Sequence, residues 1–192
     1  MRRTIFALLA ATLLAPLAGA EEPGEGPALL IELEAGPALG MDRLLRGGRL
    51  ALALGLEAGG IEAALRGALA YDASLAGLSV EAGILLSLGG GLRLAAGREA
   101  ALIQPGIASA GVTARLEPAG WPSVLAVGVE WLELGQGDGK RPRIEASAEL
   151  AYSAYRVLGP APPATGVAAF SAGFRAWLGL RLSWLARPRR RA

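Results

Sequence analysis

The chain has 192 residues, of which 53% are hydrophobic, and it contains neither cysteine nor histidine. It therefore cannot form a disulfide, a thiolate nucleophile, a Ser-His catalytic pair or a His-ligated metal site. The formal net charge is +2, but arginines cluster at both ends, so the central part lacks the basic excess that nucleic-acid binding would need.

The first segment has the composition of an export signal. Residues 1–20, MRRTIFALLAATLLAPLAGA, combine two arginines, an apolar run and small residues at Ala18 and Ala20. This layout predicts a secretory signal peptide cleaved after Ala20, and an uncleaved membrane anchor is the alternative. We expect residues 21–27 to be a flexible mature N-terminus. Beyond the signal peptide no uncharged apolar stretch of about 20 residues is present, so no membrane-spanning helix is expected.

From residue 28 onward, apolar and polar residues alternate with the period of two that is typical of β-strands. The runs, in chain order, cover residues 29–40, 49–58, 61–71, 78–88, 92–97, 110–117, 125–131, 143–152 and 170–184. Gly59-Gly60 fits a two-residue hairpin turn between the second and third runs. Residues 61–70 also fit an amphipathic helix, so strand and helix both remain open there.

Glutamate and arginine dominate the polar face of these runs. The set is Glu32, Glu34, Arg49, Glu57, Glu62, Arg66, Glu81, Arg93, Arg115, Glu117, Glu130, Arg143, Glu145, Glu149, Arg175 and Arg181. In the last run Trp177 falls on this face as the one large apolar exception. Three further charges, Arg98, Glu133 and Arg156, lie at ends of runs, where side chains can reach water or lipid headgroups.

Two closures of such a sheet are possible. With apolar faces inward it is a soluble barrel or sandwich, and with apolar faces outward it is a transmembrane barrel with charges in its lumen. The chain has one lysine and three aspartates, whereas a solvated exterior is usually richer in both. Arginine holds carboxylates in a fixed bidentate geometry, and small residues between the charges suit a narrow lumen. We therefore predict a structural salt-bridge network of the sixteen charged residues inside a lipid-facing barrel.

The predicted fold is all-β, an antiparallel up-and-down transmembrane β-barrel of about eight strands spanning residues 28–185. Nine runs result if Gly89-Gly90-Gly91 is a turn, and eight if residues 78–97 form one long strand. Because single-chain bacterial barrels usually have an even number of strands, we predict eight, with ten as the alternative. Residues 186–192 then form a basic C-terminal tail.

The last run carries a specific motif. Trp177-x-Gly179-x-x-Leu182-x-Trp184 is similar to the C-terminal insertion signal of bacterial outer-membrane barrels, with Gly179, Leu182 and Trp184 in the matching places. With the signal peptide and the alternation, the chain resembles a small bacterial outer-membrane β-barrel protein of the eight-stranded class. The resemblance implies an outer-membrane location, contact with outer-membrane lipid and the assembly machinery, and a monomer.

Motifs for chemistry are weak. Residues 135–140, GQGDGK, lack the spacing and the Ser or Thr of a phosphate-binding loop. We expect no catalytic, cofactor-binding or metal residues, and a role in envelope structure or surface interaction around a lumen filled by side chains. The alternative is a secreted or periplasmic soluble β-barrel that binds an apolar ligand.

Overall fold

The computed structural model describes residues 26–39, 45–88, 91–109, 112–135, 141–159 and 164–186. The predicted signal peptide and the tail from residue 187 lie outside these residues. The described elements, in chain order, are β1 (Ala28–Leu39), β2 (Gly47–Ala58), β3 (Ile61–Asp72), β4 (Gly77–Leu88), β5 (Leu92–Ile103), β6 (Gly106–Ser109), β7 (Val112–Pro118), β8 (Val124–Gly135), β9 (Arg143–Ser153), β10 (Tyr155–Leu158), α1 (Ala164–Gly173) and β11 (Phe174–Ala186).

Eight of these strands form a closed barrel in the order β1-β11-β9-β8-β5-β4-β3-β2. Neighbouring strands are antiparallel, and the barrel closes where the first strand pairs with the last, from Leu29 opposite Ala186 to Leu39 opposite Ala176. The prediction of an all-β, antiparallel, up-and-down barrel of eight strands is confirmed.

The segments that form the eight barrel strands differ from the predicted segments in two places. Residues 78–97 are not one strand, because β4 ends at Leu88 and pairs with β5 across a turn that includes Gly91. Residues 110–117 are not a barrel strand, because β7 pairs with β6 and β10 in a separate three-stranded sheet. The alternation of β7 has another cause: Leu116 is buried against Leu75 and α1.

The open choice for residues 61–70 is settled in favour of a strand. β3 pairs with β2 and with β4 over nearly its whole length, and these ladders satisfy its backbone. Helix appears instead at α1, so residues 170–173, predicted as strand, are helical. Within the described part of the chain, no helix is both long enough and apolar enough to cross a membrane.

The barrel has two different ends. At the terminal end, where β1 begins and β11 ends, β2 and β3 are joined by the tight turn Gly59-Gly60. At the opposite end, the connections from β5 to β8 and from β9 to β11 contain β6, β7, β10 and α1. We call these four elements the cap and this end the cap end. Leu116 of β7 and Ala169 and Ala172 of α1 form a small core with Leu75, which lies in the loop between β3 and β4.

The register fixes the geometry of the barrel. A path that starts at Leu29 and passes from each residue to its register partner on the next strand returns to β1 at Leu39. This residue lies ten positions further along the strand than Leu29. The circuit passes through Leu56, Ala63, Leu86, Leu94, Val127, Leu150 and Ala176. With a rise of about 3.3 Å per residue and about 4.8 Å between strands, the strands tilt by about 40° from the axis. Each residue then advances about 2.5 Å along the axis, and each step to the next strand about 3 Å.

Candidate functional site

The two faces of the barrel have opposite chemistry. On β2, Leu52 and Leu54 point outward and are about half exposed, whereas Ala51 and Ala53 point inward and are buried. On β3, Leu65 points outward and is 72% exposed. The same alternation runs through the other barrel strands, with charged residues inside. The structure therefore has the outward apolar face of the second closure, and the inward apolar face required by the ligand-binding alternative is not present in the described barrel.

The outer face carries a single charged residue among the described barrel strands between the two ends. This residue is Arg98 on β5, which is exposed, while its sequence neighbours Gly97 and Glu99 are buried on the lumen side. No hydrogen bond or ion pair joins Arg98 to another described residue. The prediction that Arg98 lies at the end of a run is wrong in one respect, since β5 continues to Ile103.

Aromatic side chains on the outer face lie at two levels. Measured along the axis from Leu29 with the increments above, Trp184 and Trp131 lie within about 6 Å of the starting level. Tyr152, Tyr71 and Phe174 lie about 24–27 Å above it. We call these levels the terminal belt and the cap belt. The cap belt is reinforced by ring contacts in which Phe174 lies 4.7 Å from Tyr152, centroid to centroid.

Arg181 on β11 organises the lumen near the terminal end. Its side chain is fully buried, and its guanidinium contacts four carboxylates, each from a different strand. Nε lies 2.9 Å from Glu32, and the terminal nitrogens lie 2.6 Å from Glu62, 3.2 Å from Glu145 and within hydrogen-bond range of Glu130. One cation thus ties β1, β3, β8 and β9 to the last strand.

Arg143 is a second, more accessible cation at this end. Its side chain is 34% exposed, and it lies 3.0 Å from Glu145 and 3.7 Å from Glu62, two of the partners of Arg181. Arg181 and Arg143 are therefore a buried and a partly exposed arginine that share two carboxylates, Glu62 and Glu145.

Three arginines continue the network through the middle of the lumen. Arg93 pairs with Glu32 and lies 3.4 Å from Glu34. Arg66 donates two hydrogen bonds to Glu149, at 2.8 and 3.0 Å. Arg49 contacts the same Glu149 and lies 3.5 Å from Glu34. Because the carboxylates are shared between arginines, the ion pairs form one connected network.

The cap end of the lumen contains a cluster of the predicted Arg175 and two residues that sequence reasoning missed, Glu99 and Tyr155. Arg175 donates to Glu99 at 3.0 Å, and the Tyr155 hydroxyl donates to the same carboxylate at 3.1 Å. Tyr155 belongs to β10, so this contact fastens the cap to the barrel. Burial and the neighbouring Glu99 carboxylate raise the pKa of Tyr155 far above its usual value, so the hydroxyl remains a donor.

Trp177 and Arg46 complete this end. Trp177 is 2% exposed and lies inside the lumen, with the Arg49 guanidinium carbon 4.7 Å from its ring centroid, a cation–π contact. Arg46 lies 2.8 Å from Asp72 and donates to the carbonyl oxygen of Ala172 at the end of α1. Glu99 has the same parity as Arg93 on β5, so the alternation could have indicated that it faces the lumen. Arg46 precedes β2, and nothing in the alternation indicated its position.

Of the sixteen predicted lumen residues, twelve form ion pairs inside the barrel. They are Glu32, Glu34, Arg49, Glu62, Arg66, Arg93, Glu130, Arg143, Glu145, Glu149, Arg175 and Arg181. Glu81 also faces the lumen, beside Arg66 and Glu149, without a direct ion pair among the described residues. Glu57 lies at the turn, where it accepts a hydrogen bond of 3.1 Å from the backbone of Gly60.

The placement of Arg115 and Glu117 in the lumen was wrong. Both lie on β7 in the cap, and Glu117 pairs at 2.5 Å with the exposed Arg156 of β10. Their alternation is indistinguishable from that of a barrel strand, because any half-buried sheet alternates.

The three residues of the predicted insertion signal lie on β11. Gly179 faces the lumen, where an added Cβ would lie 3.1 Å from Glu34 Oε1, so its small size makes room for this carboxylate. Leu182 and Trp184 face outward. Their role as an insertion signal stays a prediction.

Comparisons with protein-family models, curated proteins and solved structures found no match. Among the described residues no group of three or more Asp or Glu side chains is arranged to hold a metal ion. In the network, the carboxylates are engaged by arginines, which favours a structural role over acid–base chemistry.

Proposed function

We propose that this chain is a bacterial outer-membrane β-barrel protein that is not an enzyme. In this proposal its lumen is filled by its own side chains, and its role is structural or lies in surface interaction through the cap. The observation that carries the proposal is the apolar outer face, with Arg98 as its one charge between the two ends of the described barrel strands.

The extent of this face supports a lipid environment. The two aromatic belts are separated by about 20 Å along the axis, similar to the roughly 25 Å apolar band of outer-membrane barrels. A band of that height around an eight-stranded barrel has an area well above ~1,000 Å², whereas soluble monomers rarely expose apolar patches larger than a few hundred Å². Lipid would cover this surface without a partner protein, which agrees with a monomer.

The lumen supports a barrel that does not conduct like a porin. Eight-stranded barrels are just wide enough for side chains to fill, and the arginine network occupies this interior from Arg181 at the terminal end to Arg175 at the cap end. The resemblance to outer-membrane barrels implies that both termini face the periplasm. The cap would then lie on the outside, where it could meet other molecules.

The first test is envelope fractionation followed by gel mobility with and without boiling. We expect recovery with the outer membrane and a folded band that shifts on heating. Release with the soluble periplasm and no shift would contradict the proposal. In planar bilayers we expect no porin-like conductance, and wide, stable channels would overturn the filled lumen.

A pair of matched substitutions tests the lipid contact directly. Leu52 lies near the middle of the band, about 13 Å above the Leu29 level, whereas Leu102 lies about 6 Å beyond the cap belt. Both are exposed and outward. Leu52→Arg should cost about 2–4 kcal/mol of stability in lipid vesicles and Leu102→Arg about 0–1 kcal/mol. Equal effects, or higher solubility of Leu52→Arg without lipid, would favour a water-facing surface.

A further inference from the structure

A groove crosses the outer face of the barrel diagonally. It has a volume of about 490 Å³ and is lined by residues of β4, β5, β8, β9 and β11, among them Leu86, Leu94, Leu125, Tyr152 and Phe174. It begins about 9 Å above the Leu29 level and ends at the cap belt, about 27 Å above that level. Its lining is therefore apolar in the bilayer interior and aromatic at the interface.

The groove exists because a small residue stands between larger ones. Ala96 on β5 lies opposite Ile84 on one neighbouring strand and opposite Leu125 on the other, and all three side chains point outward. The short alanine leaves a channel between its taller neighbours. A channel of this shape and polarity fits a hydrocarbon chain.

Arg98 stands at the cap-end side of this groove. It lies two residues from Ala96 on the same face of β5, about 6.6 Å along the strand, and about 22 Å above the Leu29 level. Its neighbour on β4 is the small Ala82, and β8 begins opposite Gly97, so no barrel strand flanks Arg98 on its other side. The segment before β8 lies on that side, where Ser123 hydrogen-bonds to the backbone of Gly97 and Glu99, and the Arg98 side chain is exposed.

A charge at this position needs a partner that the described residues do not supply. Arg98 is exposed and makes no ion pair with the described residues, unlike the lumen arginines. A guanidinium matches the geometry of a phosphate with two parallel hydrogen bonds. At the level of the cap belt, the phosphates available to it are those of the surrounding lipid.

We infer that the groove and Arg98 together form a binding site for one phosphate-bearing anionic lipid, whose acyl chain lies across Ala96 and whose phosphate pairs with Arg98. This inference rests on the proposed membrane location. It goes beyond that location, because ordinary lipid contact would be the same on every side of the barrel. Ordinary contact would also not favour an anionic lipid over a zwitterionic one.

The test uses the full chain reconstituted in phosphatidylcholine nanodiscs that contain a minor fraction of phosphatidylglycerol. Lipid that stays bound after transfer to detergent is counted by native mass spectrometry. We expect wild-type protein to retain phosphatidylglycerol, and Arg98→Gln to lower its retention relative to phosphatidylcholine about fivefold, the effect of one basic residue near a membrane surface. Ala96→Phe, which fills the groove and keeps Arg98, should cause a similar loss.

Arg156→Gln is the matched control, because Arg156 is an exposed arginine on the cap, away from the groove. It should retain lipid like the wild type. Equal losses in both arginine variants, or none in Arg98→Gln, would overturn the site, and full retention in Ala96→Phe would overturn the acyl-chain position. Wild-type protein that inserts without preferring phosphatidylglycerol refutes this inference alone. Failure to insert refutes the proposed membrane function itself.

Discussion

Arg181→Gln is the sharpest test of the lumen network. The substitution removes one buried cation that contacts four carboxylates, Glu32, Glu62, Glu130 and Glu145. Removing one partner of a buried ion pair costs about 3–5 kcal/mol, because the remaining charge stays buried without compensation. Two of the carboxylates keep Arg93 and the other two keep Arg143, so we expect a loss within that range rather than a multiple of it.

The assay is urea unfolding of the barrel in lipid vesicles, followed by gel mobility without boiling. With a slope of about 2 kcal/mol/M, the urea midpoint should fall by about 2 M. Arg143→Gln is the control, since this arginine shares Glu62 and Glu145 but is 34% exposed, and it should cost about 1 kcal/mol or less. Adding Glu62→Gln to Arg181→Gln should restore part of the loss. A variant at Arg181 that is no less stable than the one at Arg143 would refute the reasoning.

Three further predictions concern packing, closure and the cap. Trp177→Ala should lower the free energy of unfolding by about 3–5 kcal/mol, measured by the same urea titration, because it empties a buried lumen position. Gly36→Ala should reduce the folded fraction that resists heating on gels, because the new Cβ would lie 1.9 Å from a carbonyl oxygen of β11. Gly67→Ala should not reduce this fraction, because its Cβ would have no atom nearer than 3.9 Å. Tyr155→Phe should leave the phenolate absorbance gained near a pH of about 10 unchanged, because the raised pKa of Tyr155 keeps it protonated there. A drop in that absorbance would mean that Tyr155 titrates normally and is not held by Glu99.

The faces of the barrel could be predicted from sequence because a strand alternates strictly. Glu32 and Glu34 point inward because they share parity, and Ile31 and Leu33 beside them then have to point outward. The ion-pair partners could not be predicted in the same way. Each ion pair depends on the register between strands that are distant in the chain, and that register is set when the barrel closes. The pair of Arg66 and Glu149 is an example.

The alternation of apolar and polar residues does not locate a strand correctly where two different structures produce the same pattern. A three-residue turn preserves parity, so the turn before Leu92 was hidden within an apparently continuous run. The cap strand β7 alternates because one face packs on α1, which produces the same pattern as a lumen and a lipid face. At Trp177 the parity was a correct guide although the residue type was not. Its parity placed it on the inward face, where it lies, whereas an apolar ring is unusual among the lumen charges.

The distribution of charge along the chain bears on the order of assembly. β1 supplies carboxylates, Glu32 and Glu34, whereas the last strand supplies Arg175 and Arg181 and no carboxylate. A chain that stops short of Phe174 would lack both of these arginines. The four carboxylates that contact Arg181 would then keep only Arg93 and Arg143, and Glu99 would lose Arg175, so burial of the half-formed lumen would be unfavourable. Under the proposed membrane function, entry into the bilayer interior would therefore be coupled to the arrival of β11. The strand that closes the barrel is also the one that brings the arginine shared by four lumen carboxylates. Under the proposed membrane function, partly folded forms would therefore stay at the membrane surface until β11 pairs with β1.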